Sequence, residues 1–177
     1  MTAELFINNL ESLKEGERSR LRALAGQPLD KTLPGFDLFT GLWWPLRARS
    51  RAAPRRDASW LAAKLYATFP LPRVEDERAW LPSVLGRCEP PLDPHRKSFR
   101  SRFDALLQTP LPALEPHLRW ALGEIYRAFR QGRATITGID WVQLLEDLSI
   151  WDRGDEHRRK CDVREIWAKQ YLEDKKE

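Results

Sequence analysis

The chain has 177 residues, of which 42% are hydrophobic and 32% charged, with a formal net charge of +4 and a pI of about 9.3. This composition is typical of one or two small folded domains and argues against a disordered chain. No apolar run approaches the roughly 20 residues of a membrane-spanning helix, and the N-terminal residues lack a secretory signal pattern. Two cysteines are too few for a disulfide framework. We therefore expect a cytoplasmic protein that contacts no membrane.

Apolar residues in the first half recur at helical spacing, with proline and glycine between the runs. An apolar cluster from Phe36 to Leu46 precedes an arginine-rich segment, and Asp57 is placed to cap the helix that follows. Pro70 and Pro72 end that helix. The predicted helices of this half lie around residues 5–13, 18–25, 57–69 and 75–80.

The second half begins with the proline-rich stretch CEPPLDP, which predicts a linker between two domains, residues 1–88 and 93–177. Asp93 as N-cap and Pro94 at the first helical position predict the next helix. Further helices are predicted from Pro116 and from Trp141. A last helix is predicted over 156–172, with these residues facing inward: Val163, Ile166, Trp167 and Tyr171.

We see no alternating strand pattern of useful length. The predicted fold class is therefore all-α, a two-part helical bundle protein without a significant sheet. Five of the eight tryptophans lie on or beside apolar stripes, which favours packing over base stacking. They are Trp60, Trp120, Trp141, Trp151 and Trp167.

The basic residues are clustered along the chain. Five arginines and no acid lie between Asp37 and Asp57, and four cations lie within seven residues of the stretch HRKSFRSRFDALL, residues 95–107. Like charges four residues apart cost a helix a few tenths of a kcal/mol, about 0.2–0.5, which a bound polyanion would offset. Clustered arginine therefore indicates nucleic acid, although charge runs also occur on plain solvated surfaces.

Catalytic signatures are not found. The sequence has no glycine-rich phosphate loop, GxSxG or HExxH motif, and none of His95, His117 and His157 has a Cys or His partner at metal-binding spacing. We therefore expect no catalytic site, no metal and no cofactor. Asp140, Glu146 and Asp147 are better interpreted as capping and surface residues than as a nuclease site.

Seven short motifs follow one another along the chain in a distinctive order. In the second half they are SVLGR (83–87), SRFDALL (101–107), LRWAL (118–122), IDWVQLLEDLSIWD (139–152) and WAKQYL (167–172), and in the first half RLRALAG (20–26) and PGFDLF (34–39). In this order, over residues 15–172, the chain resembles the CasB-type small subunit of type I-E CRISPR Cascade surveillance complexes. The segment from Arg47 to Arg56 matches no motif of that family.

The resemblance implies a non-enzymatic, all-α protein, present in two copies per complex. Its partners would be guide RNA, target and non-target DNA, and the backbone-forming and large subunits of Cascade. The basic positions within the matched motifs are predicted to bind nucleic acid: Arg20, Arg22, Arg87, Arg102 and Arg119. Lys97 and Arg100 flank one motif on the same helix and are predicted to bind as well.

Guided recognition leaves sequence reading to base pairing, so such contacts would hold the R-loop, including the displaced strand, through its backbone. A different possibility is a helical protein–protein adaptor that has a basic face, uses Trp43 and Trp44 as an anchor and does not bind nucleic acid. A third is a helical nuclease that requires a divalent metal.

Overall fold

A computed structural model describes residues 2–29, 33–49, 53–153 and 162–173, with the backbone alone for 33–36. These residues form nine α-helices and two short 3₁₀ helices. Within the described ranges the only β-type pairing is an isolated bridge between Arg73 and Ile139. The predicted all-α class is confirmed.

The chain divides into two compact units. The first comprises Met1–Pro70 and Trp141–Ser149, and the second comprises Leu71–Asp140 and Ile150–Glu177. The division cuts the sequence at three points, after residues 70, 140 and 149, because a segment from the second half of the sequence packs with the first unit.

The first unit is built around aromatic residues of four helices. Phe39 lies at its centre, with ring centroids 6.2 Å from Phe6 and 5.5 Å from Trp60, and Tyr66 packs edge-on against Trp141 at 5.2 Å. Here α2 packs on α4 and α1 packs on α3. The helices are α1 (Thr2–Glu11), α2 (Glu15–Ala23), α3 (Leu33–Arg49) and α4 (Arg56–Thr68), joined by residues 141–149 of α8 (Trp141–Ile150).

The second unit is organised around a short, almost entirely buried helix, α5, which packs against α9 and α7. Gly86 of α5 lies so close to the carbonyl of Tyr171 that an added Cβ would come within 2.5 Å of that oxygen. Glycine thus permits the close approach of the two helices. The helices are α5 (Leu81–Cys88), α6 (His95–Gln108), α7 (Glu115–Arg130) and α9 (Val163–Glu173), with 3₁₀ turns at Glu77–Ala79 and Leu111–Ala113.

Several local predictions need correction. The residue preceding α6 is Pro94, not Asp93, whose carboxylate pairs instead with α6 side chains. Ile166 is 39% exposed although its spacing predicted an inward position. Asp57, which was predicted to cap the fourth helix, lies inside α4, whose N-cap residue is Arg55. The predicted start of the last helix, residues 156–161, lies outside the described residues.

The compact units do not coincide with the predicted domains. They part after Pro70, and α5, which the sequence assigned to the N-terminal domain, packs with the helices of the second unit. The division at residues 88–93 stays a prediction about independently folding domains.

No helix formed by the described residues is both long and apolar enough to cross a bilayer.

Candidate nucleic-acid interface

The cationic stretch at residues 95–107 forms α6, whose apolar stripe is buried through Phe99, Phe103 and Leu106. Burial of that stripe turns the cations outward. Lys97, Arg100 and Arg102 are exposed, and Arg96 is partly so.

The first cations of α6 lie beside one carboxylate. The Asp93 oxygens are 3.5 Å from Arg96 Nε and 3.6 Å from Lys97 Nζ. Both pairs are solvent-accessible, and exposed pairs of this kind contribute about 0–1 kcal/mol. Phosphate oxygens can therefore replace Asp93 at little cost.

Arg100 is held more firmly. Its Nε and Nη2 donate to Glu89 at 3.0–3.1 Å, and the Glu89 side chain is only 6% exposed. The Tyr171 hydroxyl also donates to Glu89. Burial and this hydrogen bond raise the pKa of Tyr171, and the hydrogen bond with Glu89 raises the pKa of Arg100. Glu89 thus orients the Arg100 guanidinium but offsets part of its positive charge. Nη1 of Arg100 takes no part in the hydrogen bonds with Glu89.

Arg102 lies on another side of α6. Its guanidinium carbon is 5.8 Å from the centroid of Trp120, a cation–π distance. Phe99 meets the same indole at 4.9 Å in a T-shaped contact. Arg102 is therefore positioned by α7 and separated from the face that carries Arg96 and Arg100.

A basic cleft of about 630 Å³ lies within the second unit. Five arginines and one carboxylate line it, together with small and proline residues. We call this the arginine cleft, and its arginines are Arg78, Arg87, Arg96, Arg100 and Arg133. A neighbouring cleft shares Arg78 and Arg87 and adds Asp76.

Two of these arginines are oriented by backbone carbonyl groups. Arg133 Nη2 donates to the carbonyl of Arg87 at 3.2 Å, and Arg87 Nη2 donates to that of Arg78 at 2.7 Å. A carbonyl acceptor orients a guanidinium without cancelling its charge. Burial raises the pKa of the nearby Cys88 thiol to about 11, so that group adds no negative charge at neutral pH.

The cleft unites two of the seven predicted positions, Arg87 and Arg100, with three that are not among them. Arg96 adjoins Lys97 of the predicted set, whereas Arg78 lies nine residues before Arg87 and Arg133 lies fourteen residues after Arg119. Arg133 follows Gly132, whose φ of 72° turns the chain at the end of α7. No local pattern distinguishes it, because only the packing of α5 and α7 brings it to Arg87.

The remaining predicted positions lie elsewhere. Arg119 is a partly buried residue of α7, and Lys97 is exposed on α6. Arg20 and Arg22 lie on α2 in the first unit, where Arg22 pairs with Glu15. Arg20 is exposed there. Nucleic-acid binding by all seven stays a prediction.

The chain matches the family model of the CRISPR-associated protein Cse2 over residues 17–172. It belongs to the Cse2 family. No curated protein matches the chain.

Crystal structures of Cse2-family proteins have the same fold. A CRISPR-associated protein of the Cse2 family from Thermus thermophilus is 23% identical, with a TM-score of 0.67 over 97% of this chain and 98% of that one. CasB of M. ruber is 21% identical, with a TM-score of 0.69 over 97% and 92% of the two chains. A structure of CasB, also from Thermus thermophilus, is 23% identical, with a TM-score of 0.65 over 96% of each.

The predicted resemblance to CasB-type small subunits is confirmed by this match, which covers most of the chain. Membership of the Cse2 family supports a role as a Cascade subunit and implies association with other Cascade components. Among the described residues, no group of three or more His, Cys, Asp or Glu side chains is arranged to hold a metal ion.

Proposed function

We propose that this Cse2-family chain is a non-catalytic, nucleic-acid-binding subunit of type I-E Cascade that acts in antiviral defence. It stabilises the R-loop of guide RNA and target DNA, including the displaced strand, by contacts with the sugar–phosphate backbone. Its protein partners are the backbone-forming and large subunits and a second copy of itself.

The arginine cleft is the observation that carries this proposal. Five guanidinium groups surround one open cleft, and Glu89, the only acidic residue among its described lining, already accepts hydrogen bonds from Arg100 and Tyr171. Such a concentration of positive charge in a concave surface attracts a polyanion. The predicted contacts outside the cleft, from Arg20, Arg22, Lys97, Arg102 and Arg119, extend the proposed surface.

Arginine suits the proposed contact because its planar guanidinium can donate two parallel hydrogen bonds to one phosphate. Exchange of a DNA duplex for an RNA–DNA duplex is nearly balanced in free energy, so modest backbone contacts can tip it. These contacts read no bases, which leaves sequence recognition to the guide.

The test neutralises two cleft arginines. Arg96→Gln with Arg133→Gln should weaken binding of single-stranded and R-loop nucleic acid equally for unrelated sequences. Each lost phosphate contact should reduce the slope of log affinity against log salt by about 0.7–0.9. Fluorescence anisotropy at several salt concentrations measures both quantities, and Cascade assembled with the variant should bind target DNA less tightly.

Arg127→Gln with Arg130→Gln is the matched control, because both residues lie on α7 and neither lines the cleft. It changes the net charge of the chain by the same amount. If the two double variants lowered affinity and salt slope equally, the cleft would not be the binding surface.

A further inference from the structure

All eight tryptophans lie in the described ranges. Trp44 is the one that is exposed, with 58% of its surface accessible, and four of the others are buried. It lies on α3, beside the arginine-rich segment that matches no family motif. Large aromatic groups are costly to expose to water. An exposed indole offers its ring face to a ligand.

Trp44 is backed by an aromatic array that is anchored in the core. Its ring centroid is 6.2 Å from that of Trp43, and Trp43 stacks on the buried Phe39 at 6.2 Å with an interplanar angle of 12°. Trp43 Nε1 also donates to the carbonyl of Pro54 at 2.9 Å. The indole is therefore supported before any ligand arrives, which reduces the entropy lost on binding.

The residues next to Trp44 on α3 are small or basic. Gly41 and Ala48 lie one turn away on either side, and a Cβ added at Gly41 would meet nothing within 4 Å. Arg47, three residues after Trp44, is exposed on the same side of α3, and Arg49 is exposed at the C-terminal end of the helix. No acidic residue occurs between Asp37 and Asp57, so the indole lies in the most one-sidedly basic segment of the chain.

We propose that Trp44 stacks on an unpaired nucleobase, while Arg47 and Arg49 contact the flanking phosphates. This inference rests on the proposed nucleic-acid function and assigns a separate site to it. The ligand is a single strand, because bases in a duplex already stack on one another and offer no free face. Base stacking on an aromatic ring tolerates any sequence.

The surroundings favour a nucleic acid over a protein partner. Protein-docking surfaces are contiguous apolar patches, in which an aromatic anchor is surrounded by other contacts that exclude water. In the described part of the first unit, the only other large hydrophobic side chain that is exposed is Leu5 of α1. A lone indole with a basic rim fits stacking between phosphate contacts.

The experiment compares two oligonucleotides of equal length and charge, one carrying 2-aminopurine and ordinary bases and the other an abasic backbone. Binding to the full chain is measured by anisotropy, and stacking by quenching of the 2-aminopurine fluorescence. Trp44→Ala should weaken binding of the base-containing strand about 5- to 150-fold. It should also abolish the quenching of 2-aminopurine fluorescence that binding to the unmodified chain causes. Its affinity for the abasic strand should not change.

Trp44→Phe keeps an aromatic face and should retain most of the affinity. Leu92→Ala is the matched control, since it removes another exposed hydrophobic side chain, 73% accessible, from the second unit. It should leave both affinities unchanged.

Three results would overturn the inference. If Trp44→Ala weakened both strands equally, or neither, no base would stack on this ring. If it preserved oligonucleotide binding but prevented assembly with other Cascade subunits, the site would dock a protein. If the unmodified chain bound neither strand at low salt, the proposed function itself would fail.

Discussion

Glu89 shows how one side chain can set both stability and surface charge. It lies just after α5, largely buried, and accepts hydrogen bonds from Tyr171 and Arg100. Phe103 stacks on Tyr171 at 4.1 Å and holds that ring in place. A buried carboxylate requires such partners, because desolvation of an unpaired charge costs several kcal/mol.

Glu89→Gln should have opposite effects on stability and on binding. The amide oxygen can still accept hydrogen bonds, but bonds to a neutral group are weaker, so we expect the free energy of unfolding to fall by about 1–3 kcal/mol. Removal of one negative charge from the cleft should raise affinity for a polyanion at low salt, by about fivefold or less. Urea denaturation and anisotropy measure the two effects.

Glu165→Gln is the control for net charge, because Glu165 is exposed at the start of α9 and does not line the cleft. If both variants raised affinity equally, the charge of Glu89 would have no local effect on the cleft.

At the scale of elements, the second unit depends on the close contact between α5 and α9. Gly86 makes that contact possible, because any side chain there would press on the backbone oxygen of Tyr171. The same residue lines the arginine cleft. Separation of the two helices would therefore disturb both the core and the positions of Arg87 and Glu89.

Gly86→Ala should destabilise the protein by about 1–3 kcal/mol, because a backbone atom cannot move aside without shifting its helix. Gly16→Ala is the matched control, since a Cβ at Gly16 of α2 would meet nothing within 4 Å. Alanine there should stabilise the chain by about 0.4–1 kcal/mol. Thermal unfolding compares the two, and equal effects would contradict the proposed close packing.

At the scale of the whole molecule, the two compact units do not follow the order of the sequence. Residues 141–149 pack with the first unit, whereas α5 packs with α7 and α9 in the second. A boundary placed at the linker 88–93 separates α5 from its packing partners.

A fragment of residues 71–177 should therefore fold more cooperatively than one of residues 93–177. Both fragments contain the same α8, so they differ in α5 and the short segment around it. We expect a sharper thermal transition, followed by circular dichroism, for the longer fragment. An equally cooperative transition in the shorter one would support the predicted domain boundary instead.

Much of the architecture could be predicted because the spacing of apolar residues along the sequence determines which side of each helix is buried. Phe99, Phe103 and Leu106 repeat at helical spacing and are buried in α6, and Trp60, Trp141, Trp151 and Trp167 are buried as their apolar stripes predicted. Helical spacing also identified the all-α class. No helix bounds were predicted for residues 33–49, where α3 continues through Pro45 because packing on α1, α2 and α4 outweighs the helix-breaking tendency of proline.

The order of motifs along the chain, together with its clustered arginine, identified the Cse2 family and a basic surface from the sequence alone. Tertiary structure decided which cations share that surface: it joined Arg78 and Arg133 to Arg87, paired Arg100 with Glu89, and turned Arg102 toward Trp120. The reason is physical. Helical periodicity fixes which side chains of one helix face outward together, whereas the distance between cleft residues on different helices depends on how those helices pack.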